Sequence, residues 1–225
     1  MRLRRTSLLS LLLPAALLAL AGCGATGDLL PAGHGKPAVR AQGPHRLWPD
    51  RPPAPRVPEH TAGRDAPYVV PGVRIPASGE LRDVPAGEVL AADLAAEADS
   101  EPGDDPTRQL LTACAPSAEP AACPVREAHY RDLTGDGHDE LILGIEQPGH
   151  SLNLRVYSLL DGRIQRIMND TQRIISVELA ARDLILWSPN PIPGTESRDV
   201  WSWSPELGVM SPRLMELVRT PQEEP

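Results

Sequence analysis

Phenylalanine is absent from the 225 residues, and only four Trp and three Tyr supply aromatic bulk. With 26 Pro and 18 Gly besides, the chain is poorly equipped to fill one core along its whole length, so one modest domain and a long unfolded part are expected. Lysine occurs once, at Lys36, and every other member of the 22 basic side chains is Arg. A lysine nucleophile or base is therefore excluded from everything beyond that position. The 30 acidic residues leave a formal net charge of −8, so the surplus of Lys and Arg on which phosphate binding rests is missing and a nucleic-acid partner is excluded. No apolar run reaches the roughly 20 residues that a membrane-spanning helix needs. A G-x-S-x-G elbow is also lacking.

What is present begins with an export signal over residues 1–22. Arg2, Arg4 and Arg5 form a basic start, Leu8 to Leu20 an apolar stretch, and small residues follow. Its end, Leu20-Ala21-Gly22-Cys23, resembles the lipobox of bacterial lipoproteins. That resemblance implies a diacylglyceryl group on the Cys23 thiol, cleavage just before it and acylation of the new N-terminus by a chain such as palmitate. Two or more acyl chains anchor stably, which places the protein extracytoplasmically, on the outer face of the cytoplasmic membrane, without a transmembrane helix. An ordinary secretory signal with a stray Cys is the alternative, and Arg4-Arg5 leaves twin-arginine export open beside the Sec route. Cleavage removes three Arg and takes the formal charge from −8 to −11, so anionic headgroups repel the mature chain and the lipid must hold it.

Residues 23–85 are dense in Pro, Gly, Ala and Arg, with pieces such as "WPDRPPAPRVPEH", and read as a lipid-anchored disordered linker. Roughly 60 residues of coil span on the order of 45 Å. "YVVPGVRI" (Tyr68 to Ile75) reads as a transient extended patch within it. A domain is expected over 86–220 and a disordered tail over 221–225. "EVLAADLAAEA" (Glu88 to Ala98) has helical spacing, and Asp105-Pro106 can start a second short helix through Leu111. Cys114 and Cys123, the two cysteines left in an exported chain, pair by default as a disulfide. Closing so short a loop contributes about 2 to 3 kcal/mol in the chain-entropy model. Beyond Val125 the pattern turns to strands: "LILGI", "LNLRVYSL", "RIQRIM", "IISVEL", "LILW", "DVWSWS" and a last strand ending near Val218. The expected fold class is mainly β, an antiparallel meander of about seven strands in hairpins, with one or two short helices before it.

The stretch "RDLTGDGHDELIL" (Arg131 to Leu143) carries the densest chemistry. Calcium takes six to eight oxygens, and acidic side chains alternating along a Gly-bent loop can supply several. Asp132, Thr134 and Asp136 fall at loop positions 1, 3 and 5, the His138 carbonyl at 7 and the Glu140 carboxylate at 9. Leu143 stands where an EF-hand needs its bidentate Glu, which removes the EF-hand and dockerin readings. The loop resembles the FG-GAP or VCBS repeat, in which such a loop leads straight into a propeller strand, and matches it at Asp132, Gly135, Asp136, Gly137 and Leu141. Thr134 and Glu140 depart from it, and the motif occurs once, so a closed propeller is not expected. Two readings stay open: a weak structural Ca²⁺ clip with Kd of roughly 10⁻⁴ to 10⁻³ M, and a metal-free turn held by Asx hydrogen bonds.

Other groups are less specific. His129, His138 and His150 lack zinc spacings and read as exposed. Asp132 and Asp136 share one turn, and such carboxylates share a cation or face water rather than act as a glycosidase pair. Trp201 and Trp203 lie two apart and share a strand face, with Trp187 ending a neighbouring strand; core residues or a ligand-binding surface are the two readings. No catalytic residue or certain cofactor emerges, so an enzyme is not expected.

The order "YRDLTGDGHDELILGI", "LRVYSLLDGRI", "DVWSWSPELG" after a lipobox and tether is similar to the layout of small actinobacterial lipoproteins that accompany envelope-stress signalling systems and restrain their sensor kinase. The resemblance implies a non-catalytic interaction or regulatory module with a protein partner in the envelope or cell wall. The alternative is a cell-wall or carbohydrate-binding module using the Trp surface.

Overall fold

The computed structural model describes residues 43–55, 67–100, 114 and 123–220. The signal, Cys23, the second helix expected near Pro106 to Leu111 and the tail lie outside the described residues. No helix among those described is long and apolar enough to cross a membrane.

Turn chemistry sets the strand boundaries. Asp161 and Gly162 both have positive φ, 51° and 68°, the backbone of a two-residue hairpin turn, and they join β5 (Ser151–Leu160) to β6 (Arg163–Arg173). Upstream, β3 (His129–Arg131) leads through the acidic loop into β4 (Glu140–Gln147). Downstream, β7 (Ser176–Ala180), β8 (Asp183–Pro189), β9 (Thr195–Ser204) and β10 (Val209–Arg219) follow as hairpins. Two short strands precede them all: β1 (His45–Leu47) and β2 (Tyr68–Val69).

The mainly β, antiparallel expectation holds, but one meander of seven strands does not. Among the described residues ten strands form two five-stranded sheets, ordered β1-β7-β8-β9-β10 and β2-β6-β5-β4-β3. The chain changes sheet at Ile174-Ile175, between β6 and β7, and the inner faces of both sheets share one core that includes Ile142, Leu154, Val156, Leu184, Leu186 and Trp201. A register shift between Val156 and Tyr157 lets both Ile167 and Met168 reach that core.

A third layer explains the unbroken apolar run of β4. Leu141, Leu143 and Ile145 point away from the inter-sheet core and meet Val89, Leu90 and Leu94 of α1 (Ala86–Ser100), together with Leu81 and Val84. Both faces of β4 are thus buried, and each fully buried Leu or Ile contributes about 1.5–3 kcal/mol. The helix is the one expected, longer by two residues at each end, and its first turn hangs on the Pro85 carbonyl, which accepts from Glu88 N at 2.9 Å.

The linker reading of 23–85 is corrected for the part described. β1 pairs with β7, and β2 with β6, so that the first two residues of "YVVPGVRI", Tyr68–Val69, form an edge strand and Val70 after them is buried. Trp48, 4% exposed, packs its ring against Gly144, where a Cβ would lie 2.8 Å from the indole, and its Nε1 donates to the Glu127 carbonyl at 2.9 Å. Arg51 is buried beside it and donates to Glu146 Oε1 (2.8 Å), the Ile174 carbonyl (2.5 Å) and the His150 carbonyl (3.0 Å). Proline confines these strands to sheet edges without barring them from the fold.

Candidate functional site

The acidic loop closes on itself. Gly135 and Gly137 take φ of 85° and 93°, which side chains rarely adopt, and the carboxylates then accept the loop's own N–H groups. Asp132 Oδ1 accepts from Gly135 N at 2.6 Å, and Asp136 Oδ1 from His138 N at 2.8 Å. Glu140, at the start of β4 and 1% exposed, takes the central place. Its Oε2 accepts from Leu133 N (2.5 Å) and Thr134 N (3.0 Å), its Oε1 from Thr134 Oγ1 (3.2 Å) and Ser158 Oγ (2.9 Å). Burial nevertheless pushes its carboxyl above the ordinary range, against the pull of the Thr134, Leu133 and Ser158 donors.

Of the five proposed ligands, then, Thr134 and Glu140 bond to each other, and Asp132 and Asp136 bond to loop N–H groups. His138 turns its ring Nδ1 to Glu80 Oε1 at 3.1 Å. Arg182, on the β7–β8 turn, lays its guanidinium where a Gly135 side chain would begin and stands 3.9 Å from Asp132. A protein cation thus lies against the loop. Among the described residues no three His, Cys, Asp or Glu converge as a metal site. The donor set fits a self-closed turn better than a calcium cage.

Around the loop, Arg131, Asp132, Asp139, Ala181 and Arg182 line an open cleft of about 370 Å³ where the two sheets meet at their rim. Arg131 Nε donates to the Ala181 carbonyl at 2.9 Å, and Arg82 forms a short ion pair with Asp139 while lying 5.6 Å from the Tyr130 ring. The cleft is mixed in charge, and its side chains hold one another.

The remaining sequence candidates are scattered. His150 is exposed in the turn before β5, whereas His129 is not exposed as expected: its ring meets Trp48 edge to face at 5.3 Å, its Nε2 is buried without a partner, and burial lowers its pKa. Cys114 and Cys123 form the disulfide, with Cα atoms 4.4 Å apart. The three Trp do not form one surface. Trp201 is in the inter-sheet core and Trp203 packs against it, because their cross-strand partners Leu184 and Met210 face inward. Trp187 pairs with Arg198 on the other face of the sheet, with the guanidinium 5.9 Å from the ring centroid.

Two features were missed by sequence reasoning. The first is a buried ionic hub beneath α1. Asp93, fully buried, accepts from Arg155 (2.6 Å), Tyr157 OH (2.8 Å) and Arg166 (3.0 Å), and Glu97, one helical turn later, binds both guanidinium groups. Burial holds the Tyr157 phenol well above its ordinary pKa, so it stays a donor. Its signal was faint: two acids four apart on the face that carries Leu90 and Leu94. The second is the outer edge of β10, where Leu214, Met215 and Leu217 are 42%, 64% and 59% exposed. No family model, curated protein or solved structure matches the chain.

Proposed function

We propose that the chain is a lipid-anchored, extracytoplasmic module that acts by binding another protein and carries out no chemistry of its own. The observation that carries the binding role is β10: three large apolar side chains stand exposed together on a terminal strand whose outer edge has no neighbour among the described residues. The ionisable groups best placed for chemistry are already engaged in structure, Glu140 by four donors and Asp93 by two Arg and a Tyr. The location rests on Cys23 behind its apolar stretch. A place in envelope-stress signalling, as a regulator of a sensor, fits the layout of the sequence and belongs to the same reading. Burial of Trp201 and packing of Trp203 remove support from a sugar-binding Trp platform.

Metabolic labelling with an alkyne palmitate tests the anchor, and in-cell photocrosslinking from position 217 tests the partner. The expected result is label on the native chain and none on Cys23→Ser, with discrete protein adducts from position 217. An unlabelled native chain sinks the anchor, and the absence of adducts sinks the binding role.

A further inference from the structure

We infer that residues 45–54 form a releasable strap across the side of the sandwich, opened by protonation of His129 while the two sheets stay folded. Opening of this kind is a property of the domain itself and holds whatever partner it meets.

The strap bridges the two sheets. β1 adds three residues to the edge of one sheet through β7, and the next residue, Trp48, enters the core against Gly144 of β4 in the other. A turn then brings Arg51 N to the Trp48 carbonyl at 3.0 Å, and Ala54 N donates to the Ile174 carbonyl at 3.1 Å, where the chain changes sheet. The attachment is strained at one point, since Trp48 holds a φ of 46°, which a bulky side chain rarely adopts. Departure of the strap leaves β7-β8-β9-β10 paired in one sheet and all five strands paired in the other. Nor does it strand a charge on the body, because Glu146, the partner of Arg51, also accepts from Arg126 at 2.9 Å.

His129 ties this closure to protons. Its ring meets the Trp48 indole edge to face at 5.3 Å, and its Nε2 is buried without a partner. In the imidazolium both ring nitrogens are donors, and a buried donor with no acceptor is costly. Moving Trp48 away admits water to that nitrogen, so the charged ring favours the open strap. Burial lowers the His129 pKa in the closed form; Glu127, just before β3, pulls against it, and His45, on β1 itself, adds repulsion. β4 presents Ile142 as the cross-strand neighbour and Gly144 beneath the indole, neither of them charged. The other charged groups of the strap, Asp50 and Arg51, pair with Arg126 and Glu146. A base with a depressed pKa stabilises the closed form at neutral pH, and that stability is lost as the pH falls.

The test is hydrogen exchange of the full chain in detergent micelles at about pH 7.5 and about pH 5, each corrected for the intrinsic rate. Protection of residues 45–54 relative to β5 and β8 is expected to fall by at least about fivefold at the lower pH. His129→Gln should abolish that fall, whereas His150→Gln, altered at an exposed ring, should retain it. An imidazole NMR titration of the native chain needs no variant: the His129 signals should shift over the same pH range in which the strap loses protection. Loss of protection in strap and sheets together, or a strap equally protected at both pH values, would overturn the inference. So would a fall that survives His129→Gln or vanishes in His150→Gln, or titration of His129 with no change in the strap.

Discussion

His129 shows how one neighbour in space changes what a side chain does. In sequence it is one of three dispersed histidines, but the chain returns Trp48 to its ring and buries its Nε2 without a partner. Burial outweighs the pull of Glu127 and is joined by the repulsion of His45, so the folded pKa lies below 6.5. A depressed base contributes stability that is present above its unfolded pKa and lost as pH falls through the folded value. Glu140 runs the other way: its raised folded pKa gives stability that is full below 4.5 and lost as pH rises through the folded value. Acidification from neutrality is therefore expected to lower the melting temperature first through His129. His129→Gln should flatten the fall as pH drops below about 6.5, and an unchanged slope in thermal melts would remove the role assigned to this ring.

At the scale of elements, α1 was readable because Val89, Leu90 and Leu94 recur at helical spacing, and β4 because a short unbroken apolar run signals burial on both faces. The hairpin turn at Asp161-Gly162 was equally legible from its residue types. The lock between helix and sheet was not, since Asp93 meets Arg155, Tyr157 and Arg166 from more than 60 positions away. Removing Asp93 takes the acceptor from the buried Tyr157 hydroxyl and leaves Glu97 alone to match two guanidinium groups. Asp93→Ala is expected to cost about 3–5 kcal/mol, measured by urea denaturation. It should also raise hydrogen exchange in α1 before it does so in the inter-sheet strands. Uniform exchange across the molecule would mean that the helix is not a separately locked layer.

For the whole molecule, the decisive matter is where the domain begins. A stretch rich in Pro was expected to be tether throughout, yet residues 43–55 and 67–85 supply two edge strands, the Trp48 ring and the buried Arg51. Trp48→Ala is expected to cost about 3–5 kcal/mol in a full-chain denaturation series, as loss of a core aromatic does. A substitution in a true tether would leave the midpoint where it was, and that result would return Trp48 to the linker. Composition, signals and local periodicity are properties of neighbouring residues, so the sequence by itself determined the mainly β class and the cysteine pair, and it supplies the Cys23 motif on which the proposed address rests. Pairings such as His45↔Leu179 join positions separated by most of the domain, and no local pattern encodes them. Only the tertiary structure decided that there are two sheets, that Trp201 faces inward while Trp187 does not, and that the apolar end of β10 is left uncovered, because each depends on which distant surface the chain brings back against it.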